Sequence, residues 1–586
     1  VPYTRESSVG HVLDDPAARA VVQKFLPGVA NSPMALQLRS APLGVIVDHD
    51  RVLAGDPQRL QDFWDRISEI EVGEVAPRPE APRIEPDPGY ETPDVPRGSA
   101  RVHVPARGTR YGVVEISFHG PDHGNPFVDV DLTADVHGPS GDVRVGGFYD
   151  GEGRYLLRFC PQVEGTWTFR TRSTARSLDG IEGTVEVDPP APGQHGPVRV
   201  ADTFHFAHAD GTRYTPVGTT AYAWIHQPAH LREQTLETLE ASPFTKMRMT
   251  VFPKSYLYNS NEPEVFPFVR GDDGEFDHTR FDPAFFHLLE ESVAALAERG
   301  IEADLILFHA YDRWGFSDMG AAADDRFVQH VVRRLAAFPT VWWSMANEYD
   351  LLWAKTVEDW ERMAQVVVAE DHVGHLNSIH NCFGFYDYTR PWITHCSTQR
   401  IDVYRTAENT TEWREQWGKP IVVDECAYEG DIDQGWGNIT GEEMTRRCWE
   451  GAVRGGYVAH GETYWNEREE IWWSKGGELV GDSPARMGFL ADVIGQAPGG
   501  AIEPLASEWD VRWGGVDGEY LLAYLGFGRP RFRDVVAPPG RWTVDVIDTW
   551  NMTVDRLEGE FEGRFRVQLP ARQWMALRLV RVRESS

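Results

Sequence analysis

The chain has 586 residues, 41% hydrophobic and 12% aromatic, with 57 basic against 90 acidic side chains and a formal net charge of −33 at pH 7. That balance argues against nucleic acid or an anionic membrane as a partner and leaves an uncharged or cationic ligand. The length exceeds what one core fills, so several domains are expected.

The opening VPYTRESSVGHVLDDPAARA lacks the basic-then-apolar layout of a secretion signal, and no run of 18 apolar residues follows. A cytoplasmic location is the resulting expectation. Residues 1–75 read as a helical segment, with apolar residues at i, i+3, i+4 spacing in AARAVVQKFL and LQDFWDRISEI. Val21, Val22, Phe25, Leu26, Leu60, Trp64 and Ile67 make apolar faces that need cover. A second subunit is the expected cover, with the following β-domain as the alternative. A homo-oligomer would then join through these helices or through the β-domains.

Residues 76–97 carry seven prolines between Pro77 and Pro96, the composition of an extended linker. Over 98–197, short alternating segments such as YGVVEISF, YLLRFCP and GTWTFRTRS follow at about ten-residue spacing. They predict a small Ig-like β-sandwich. Over 198–499 the pattern changes to strand then helix. The predicted strands are 214–222, 244–252, 301–309, 340–348, 376–380, 392–399, 420–426 and 457–465. Helices such as PAFFHLLEESVAALAERG fill most gaps, and Thr440 with Glu443 forms a capping-box pattern. Eight strands with crossover helices predict an α/β fold, a (β/α)8 TIM barrel. A doubly wound open sheet is the alternative, but GTTAYAWIHQ is not the Gly-rich phosphate loop it requires after strand one. Residues 500–586 alternate again and predict a second small β-sandwich.

In such barrels the reacting groups sit where strands end and their loops converge. Strand one ends in Tyr222 and Trp224, strand two in Arg248 with Lys254 on the loop beyond. Strand three ends in His309, Tyr311, Asp312 and Trp314, and strand four in Asn347 and Glu348. His380, His395 and Gln399 end strands five and six. Glu425, Tyr428 and Glu429 end strand seven. Glu462 and Trp465 end strand eight, with Lys475 further on. A lone strand-end glutamate is usually an ion-paired structural residue. Two of them, Glu348 and Glu425, each closing an apolar run, match the paired carboxylates of glycoside hydrolysis. Glu429 and Glu462 are rivals for the nucleophile. The five cysteines (Cys160, Cys382, Cys396, Cys426, Cys448) include no CxxC pair, and HExxH and GxSxG are absent. That leaves no pattern for a disulfide framework, a zinc site or a serine nucleophile.

Asn-Glu ending strand four with Glu ending strand seven resembles the clan A glycoside hydrolases, retaining barrel enzymes whose acid/base and nucleophile occupy those ends. The resemblance implies that Asn347 binds the sugar 2-hydroxyl and that Arg248 supports the nucleophile. YTPVGTTAYAWIHQ, SPFTKMRMTVFPK, ADLILFHAYDRWGF, WWSMANEYD and KPIVVDECAYEG are similar, more narrowly, to bacterial apiosidase-like barrel proteins, which often carry a β-sandwich in front. The similarity covers 98–582 and leaves 1–97 outside.

The reading is a retaining glycoside hydrolase acting from the end of an oligosaccharide or on a glycoside. Glu425 is the expected nucleophile and Glu348 the acid/base, with a carbohydrate as partner and neither cofactor nor metal. Two alternatives stay open. A sugar-binding pseudoenzyme would hydrolyse no aryl glycoside, and a metal-dependent barrel hydrolase would lose activity to a chelator.

Overall fold

The computed structural model describes residues 2–30, 38–39, 41–70, 85–399, 405 and 407–583. Residues 76–84 of the expected linker lie outside the described residues. Ahead of them, short helices run from Val9–Asp14 to Pro57–Ser68. Asp15 and Asp56 each accept two backbone N–H groups of the following turn, and a proline opens each helix. Cap and preset φ together start a helix at those points. Val22, Phe25, Leu26, Phe63 and Ile67 are buried against one another, with Val21, Leu60, Trp64 and Trp353 packed at the edge. The helices thus cover much of their apolar surface among themselves and on a barrel loop, and among the described residues the alternative cover, the following β-domain, supplies none of this cluster.

Between Arg101 and Asp188 eight strands form one curled sheet. Alternation along strands such as Val114–His119 sends every second side chain inward. Ile116, Val136, Leu157, Trp167 and Val185 share the resulting core. A buried ion cluster ties this sheet to the barrel: Glu290 accepts from Arg158 at 3.0 Å and from Arg334 at 2.6 Å, and Arg334 lies 2.8 Å from Asp150.

The α/β region follows. Its eight parallel strands are Gly218–Thr220, Lys246–Thr250, Glu302–His309, Val341–Asn347, Asn377–Ser378, Cys396–Thr398, Ile421–Val423 and Tyr457–Val458. The first five pair in that order, as do the last three. Single parallel bridges, His380 to Ser397 and Thr219 to His460, join the two groups into a ring. Strand one is shorter than the predicted 214–222, because Arg213–Tyr214 pairs instead with His205–His208. That small sheet buries Phe206 against Trp342, centroids 5.3 Å apart, and so packs on the residues that begin the strands. Thr440 caps its helix by accepting from the Glu443 N–H. The reciprocal half of the predicted capping box is missing, since the Glu443 carboxylate holds Arg446 and Arg447 instead.

The last region forms a six-stranded and a two-stranded sheet. In Tyr520–Tyr524, Tyr520, Leu522 and Tyr524 join the barrel's core, while Leu521 and Ala523 join a separate one. Period-two alternation therefore gives this sheet two apolar faces, and both are covered. Among the described residues no helix is long and apolar enough to cross a membrane.

Candidate active site

Two turns at the strand ends present the carboxylates. Glu348 directly follows strand four and sits at φ +52°, ψ +57°. Ala427, two residues after Glu425, is at φ +72°. A non-glycine residue in this region costs about 1–2 kcal/mol, and such strain is retained where it aims a functional group. Both glutamates are buried at the edge of a cavity of about 780 Å3, walled by Tyr222, Lys254, Tyr256, Tyr311, Trp436 and Trp473.

Beneath them lies a charged layer built by side-chain alternation. Lys246 and Arg248, two apart on strand two, are both buried beside Asp304 of strand three. The Lys246 ammonium donates to Asp304 at 2.6 Å and to Asp424 at 2.8 Å. The Arg248 Nε is 3.8 Å from Asp304 and 3.9 Å from Asp424. Buried charges survive only when paired, and these pairs hold the guanidinium from below. Its outer nitrogens then reach Glu425 at 3.3 Å and the Asn347 oxygen at 3.1 Å.

The two carboxylates have different surroundings. Glu425 accepts from the Tyr222 hydroxyl and from Arg248, with the His380 Nε2 3.5 Å away. Glu348 accepts from the Tyr311 hydroxyl, from the Gln399 amide at 2.8 Å and from the Asn347 amide at 3.3 Å. Burial pushes the Glu425 carboxyl up, but His380, Arg248, the Tyr222 hydroxyl and Lys254 outweigh it and hold it below its ordinary value. His380 is itself driven down to about 4 by burial, so near neutral pH Arg248 supplies the charge. Burial, then the charge of Glu425, pushes Glu348 up to about 7 against the opposing pull of Tyr311, Lys254 and Gln399. One group therefore ionises readily while its neighbour keeps a proton.

Lys254 closes one side of the cavity. Its ammonium stands 3.5 Å from the Tyr222 ring centroid, 4.3 Å from that of Tyr311 and 4.7 Å from that of Trp473. Burial lowers its pKa to about 7, partly offset by the two glutamates.

Of the residues read from strand ends, Tyr222, Lys254, Tyr311, Asn347, Glu348, Gln399, Glu425 and Tyr428 line this cavity, as does Trp473 just beyond strand eight. Arg248 and His380 support it from behind. The others do not line it. Trp224 is core, its indole N–H donating to the Arg232 carbonyl at 3.2 Å. His309 accepts the Tyr311 N–H at 3.2 Å and so sets that tyrosine's turn. Asp312 accepts the backbone N–H groups of Trp314 and Ser317, a turn role, and Trp314 reaches Glu262. His395 packs on Trp342 and Phe206, at the opposite end of the strands. Trp465 is half exposed, and Lys475, half-buried, is drawn electrostatically by Glu469 and Glu470. Glu429 and Glu462 accept backbone N–H groups of residues 480–483. A strand-end position permits a side chain to face the mouth, but the next turn decides whether it does.

Several wall residues escaped the sequence reading. A strand-end position was the available signal. Tyr256, Trp436, Arg447 and Phe527 carried none. Phe527 comes from the last β-region, more than 100 residues after the second carboxylate.

The chain shares its fold and family with known proteins. The family described as apiosidase-like, catalytic domain, matches residues 201–485. Two families described as domains of unknown function match 107–174 and 509–580. A solved structure from Bacteroides vulgatus ATCC 8482, described as a candidate glycoside hydrolase, is 37% identical with a TM-score of 0.78. The match covers 82% of this chain and 100% of that one. A glycoside hydrolase family 5 structure from the same organism shares the fold at 14% identity and TM-score 0.54, covering 67% of this chain and 96% of that one. A comparison with curated proteins finds no match.

Proposed function

The chain belongs to the glycoside hydrolases and is a glycosidase with an apiosidase-like catalytic domain, and from that premise we propose a retaining mechanism with Glu425 as nucleophile and Glu348 as acid/base. The observation that supports it is the difference in charge around the two carboxylates. Glu425, ionised beside Arg248, attacks the anomeric carbon while Glu348 gives its proton to the departing glycosidic oxygen. The bond to the leaving group breaks as the Glu425 ester forms. Glu348, now a carboxylate, takes a proton from water, and that water displaces Glu425 to release the sugar. Asn347, already hydrogen-bonded to Arg248 and Tyr222, is placed to hold the hydroxyl next to the reacting carbon.

The carbohydrate is read as entering by its end. Tyr256 comes from the loop after strand two, Trp436 from that after strand seven and Trp473 from that after strand eight. The three rings stand together as one wall, Trp473 lying 5.0 Å from Trp436 and 6.0 Å from Tyr256 between centroids, an apolar platform that suits the face of one sugar ring. The test is the anomer first released from an aryl glycoside, followed by NMR. Retention is expected, and an inverted first product overturns the assignment of Glu425.

A further inference from the structure

Among the described residues, one group of three potential metal-ligating side chains converges: Glu429, His460 and Glu462, all buried, with ligand atoms within 4.8 Å of one another. It lies outside the cavity lined by the catalytic pair. Two short strands after barrel strands seven and eight pair in parallel, Glu429 opposite Glu462. His460 lies two residues beyond strand eight, where it bridges to Thr219. The three residues follow no zinc-motif spacing in the chain, and only the strand pairing brings them together.

Charge is what the cluster lacks. In the catalytic centre Lys246, Arg248 and Lys254 stand among Asp304, Asp424, Glu348 and Glu425. Among the described residues no lysine or arginine pairs with Glu429 or Glu462 within 4 Å; the His460 Nε2 is 3.8 Å from Glu462. Four consecutive backbone N–H groups, Val480 to Ser483, donate to the two carboxylates at 2.6–3.0 Å. These satisfy lone pairs but carry no net charge, and two buried carboxylates side by side require a cation or a shared proton.

The histidine points to a cation in one of its two tautomers. Its Nδ1 is 3.0 Å from the Thr219 hydroxyl oxygen, which also accepts from the Trp472 indole at 2.8 Å. Its Nε2 is buried without any hydrogen-bond partner. With the Nδ1 proton given to Thr219, the Nε2 lone pair faces Glu462, an arrangement that repels unless a cation stands between. An imidazole nitrogen and carboxylate oxygens bind such a cation at about 2.0–2.2 Å, hence about 3–4 Å from one another, and the observed spacing closes to that with a small shift. A cavity of about 40 Å3 beside Glu462 and Tyr464 has room for one water as a further ligand.

We propose that Glu429, His460 and Glu462 form a structural site for a borderline divalent cation such as Zn2+. One imidazole with two carboxylates favours that class over Ca2+, which takes oxygen alone. The cation ties together the extensions of strands seven and eight and the 480–483 segment that opens the helix Ser483–Gly495. Those same loops carry Tyr428, Trp436 and Trp473, so the site shapes the cavity wall and takes no part in bond cleavage.

The experiment is Zn2+ titration of full-length, chelator-dialysed protein by calorimetry, with metal content by mass spectrometry and thermal unfolding in parallel. One saturable site, a raised Tm on Zn2+ addition, and a Kd weakened roughly 10-fold or more in His460→Ala are expected. Glu462→Gln, which keeps the shape and removes a charge, gives the same loss if His460→Ala fails to fold. Chelated wild-type protein that keeps its Tm and shows no saturable Zn2+ binding overturns the proposal. So does His460→Ala binding Zn2+ as wild type does.

Discussion

Arg248 lies 3.3 Å from the Glu425 carboxylate, and no comparable cation pairs with Glu348 among the described residues. The guanidinium is held from the barrel interior by Asp304 and Asp424 and cannot swing across. This fixed asymmetry, rather than any difference between the two glutamates themselves, separates an ionised carboxylate from a protonated one, as the proposed mechanism requires. The predictions below rest on it.

Glu425→Ala is expected to abolish turnover of every substrate, with azide or formate restoring part of it as a glycosyl adduct. Glu348→Ala should spare substrates with activated leaving groups far more than natural ones, since these need little protonation. Glu429→Ala and Glu462→Ala should not show the rescue, because their carboxylates are engaged by residues 480–483. Azide rescue in either of those variants would move the nucleophile to it.

The pH profile follows from the same pair. Glu425 must be ionised and is held below its ordinary value, whereas Glu348 must be protonated and is pushed up to about 7. kcat/KM should therefore fall on the alkaline side near pH 7 and on the acid side below the usual glutamate range. In Glu348→Ala with an activated leaving group the alkaline limb should vanish. Its persistence would assign that limb to another group, Lys254 first among them.

Removing the charge of Arg248 should shift the acid limb. Arg248→Met leaves Glu425 buried without its cation, so its pKa rises and activity at pH 5 falls more than at pH 7. A loss of kcat/KM of about 10²–10³ corresponds to roughly 3–4 kcal/mol of lost stabilisation. A uniform loss with an unmoved acid limb would make Arg248 a packing residue only.

Stability should improve when the acid/base is removed. Glu348 titrates higher in the folded state than its unfolded value of 4.5. Below pH 4.5 both states hold the proton, so no penalty applies. As pH rises through about 7 the unfolded chain has already ionised while the folded one is forced to, and stability is lost. Glu348→Gln should raise the Tm at pH 8 by more than at pH 4, read by calorimetry. An equal change at both pH values would place the cost elsewhere.

Product size tests the walled cavity. An oligosaccharide should release monosaccharide from the first time point, and Trp473→Ala should raise KM more than it lowers kcat. Mid-chain fragments appearing early would mean an open groove and end-independent cleavage.

Much of this was legible in the chain. Strand and helix periods place apolar residues by local geometry alone, and apolar runs ending in Asn347-Glu348 and Asp424-Glu425 marked the strand ends where chemistry gathers. Alternation along strand two also puts Lys246 on the side of Arg248, though only Arg248 was singled out from the sequence. These are consequences of backbone period, which the residues themselves carry. What the tertiary structure alone decided is direction and company. His309, Asp312, Glu429 and Glu462 end strands as Glu425 does, yet turns drew their side chains into backbone hydrogen bonds. Tyr256 and Trp436 reached the cavity from distant loops, because burial of aromatic area rewards proximity in space whatever the separation in sequence, and Phe527 came to its rim with the packing of the last β-region. The pKa difference between Glu348 and Glu425 arose the same way, from desolvation and from a cation that ring closure brings to one carboxylate and not the other.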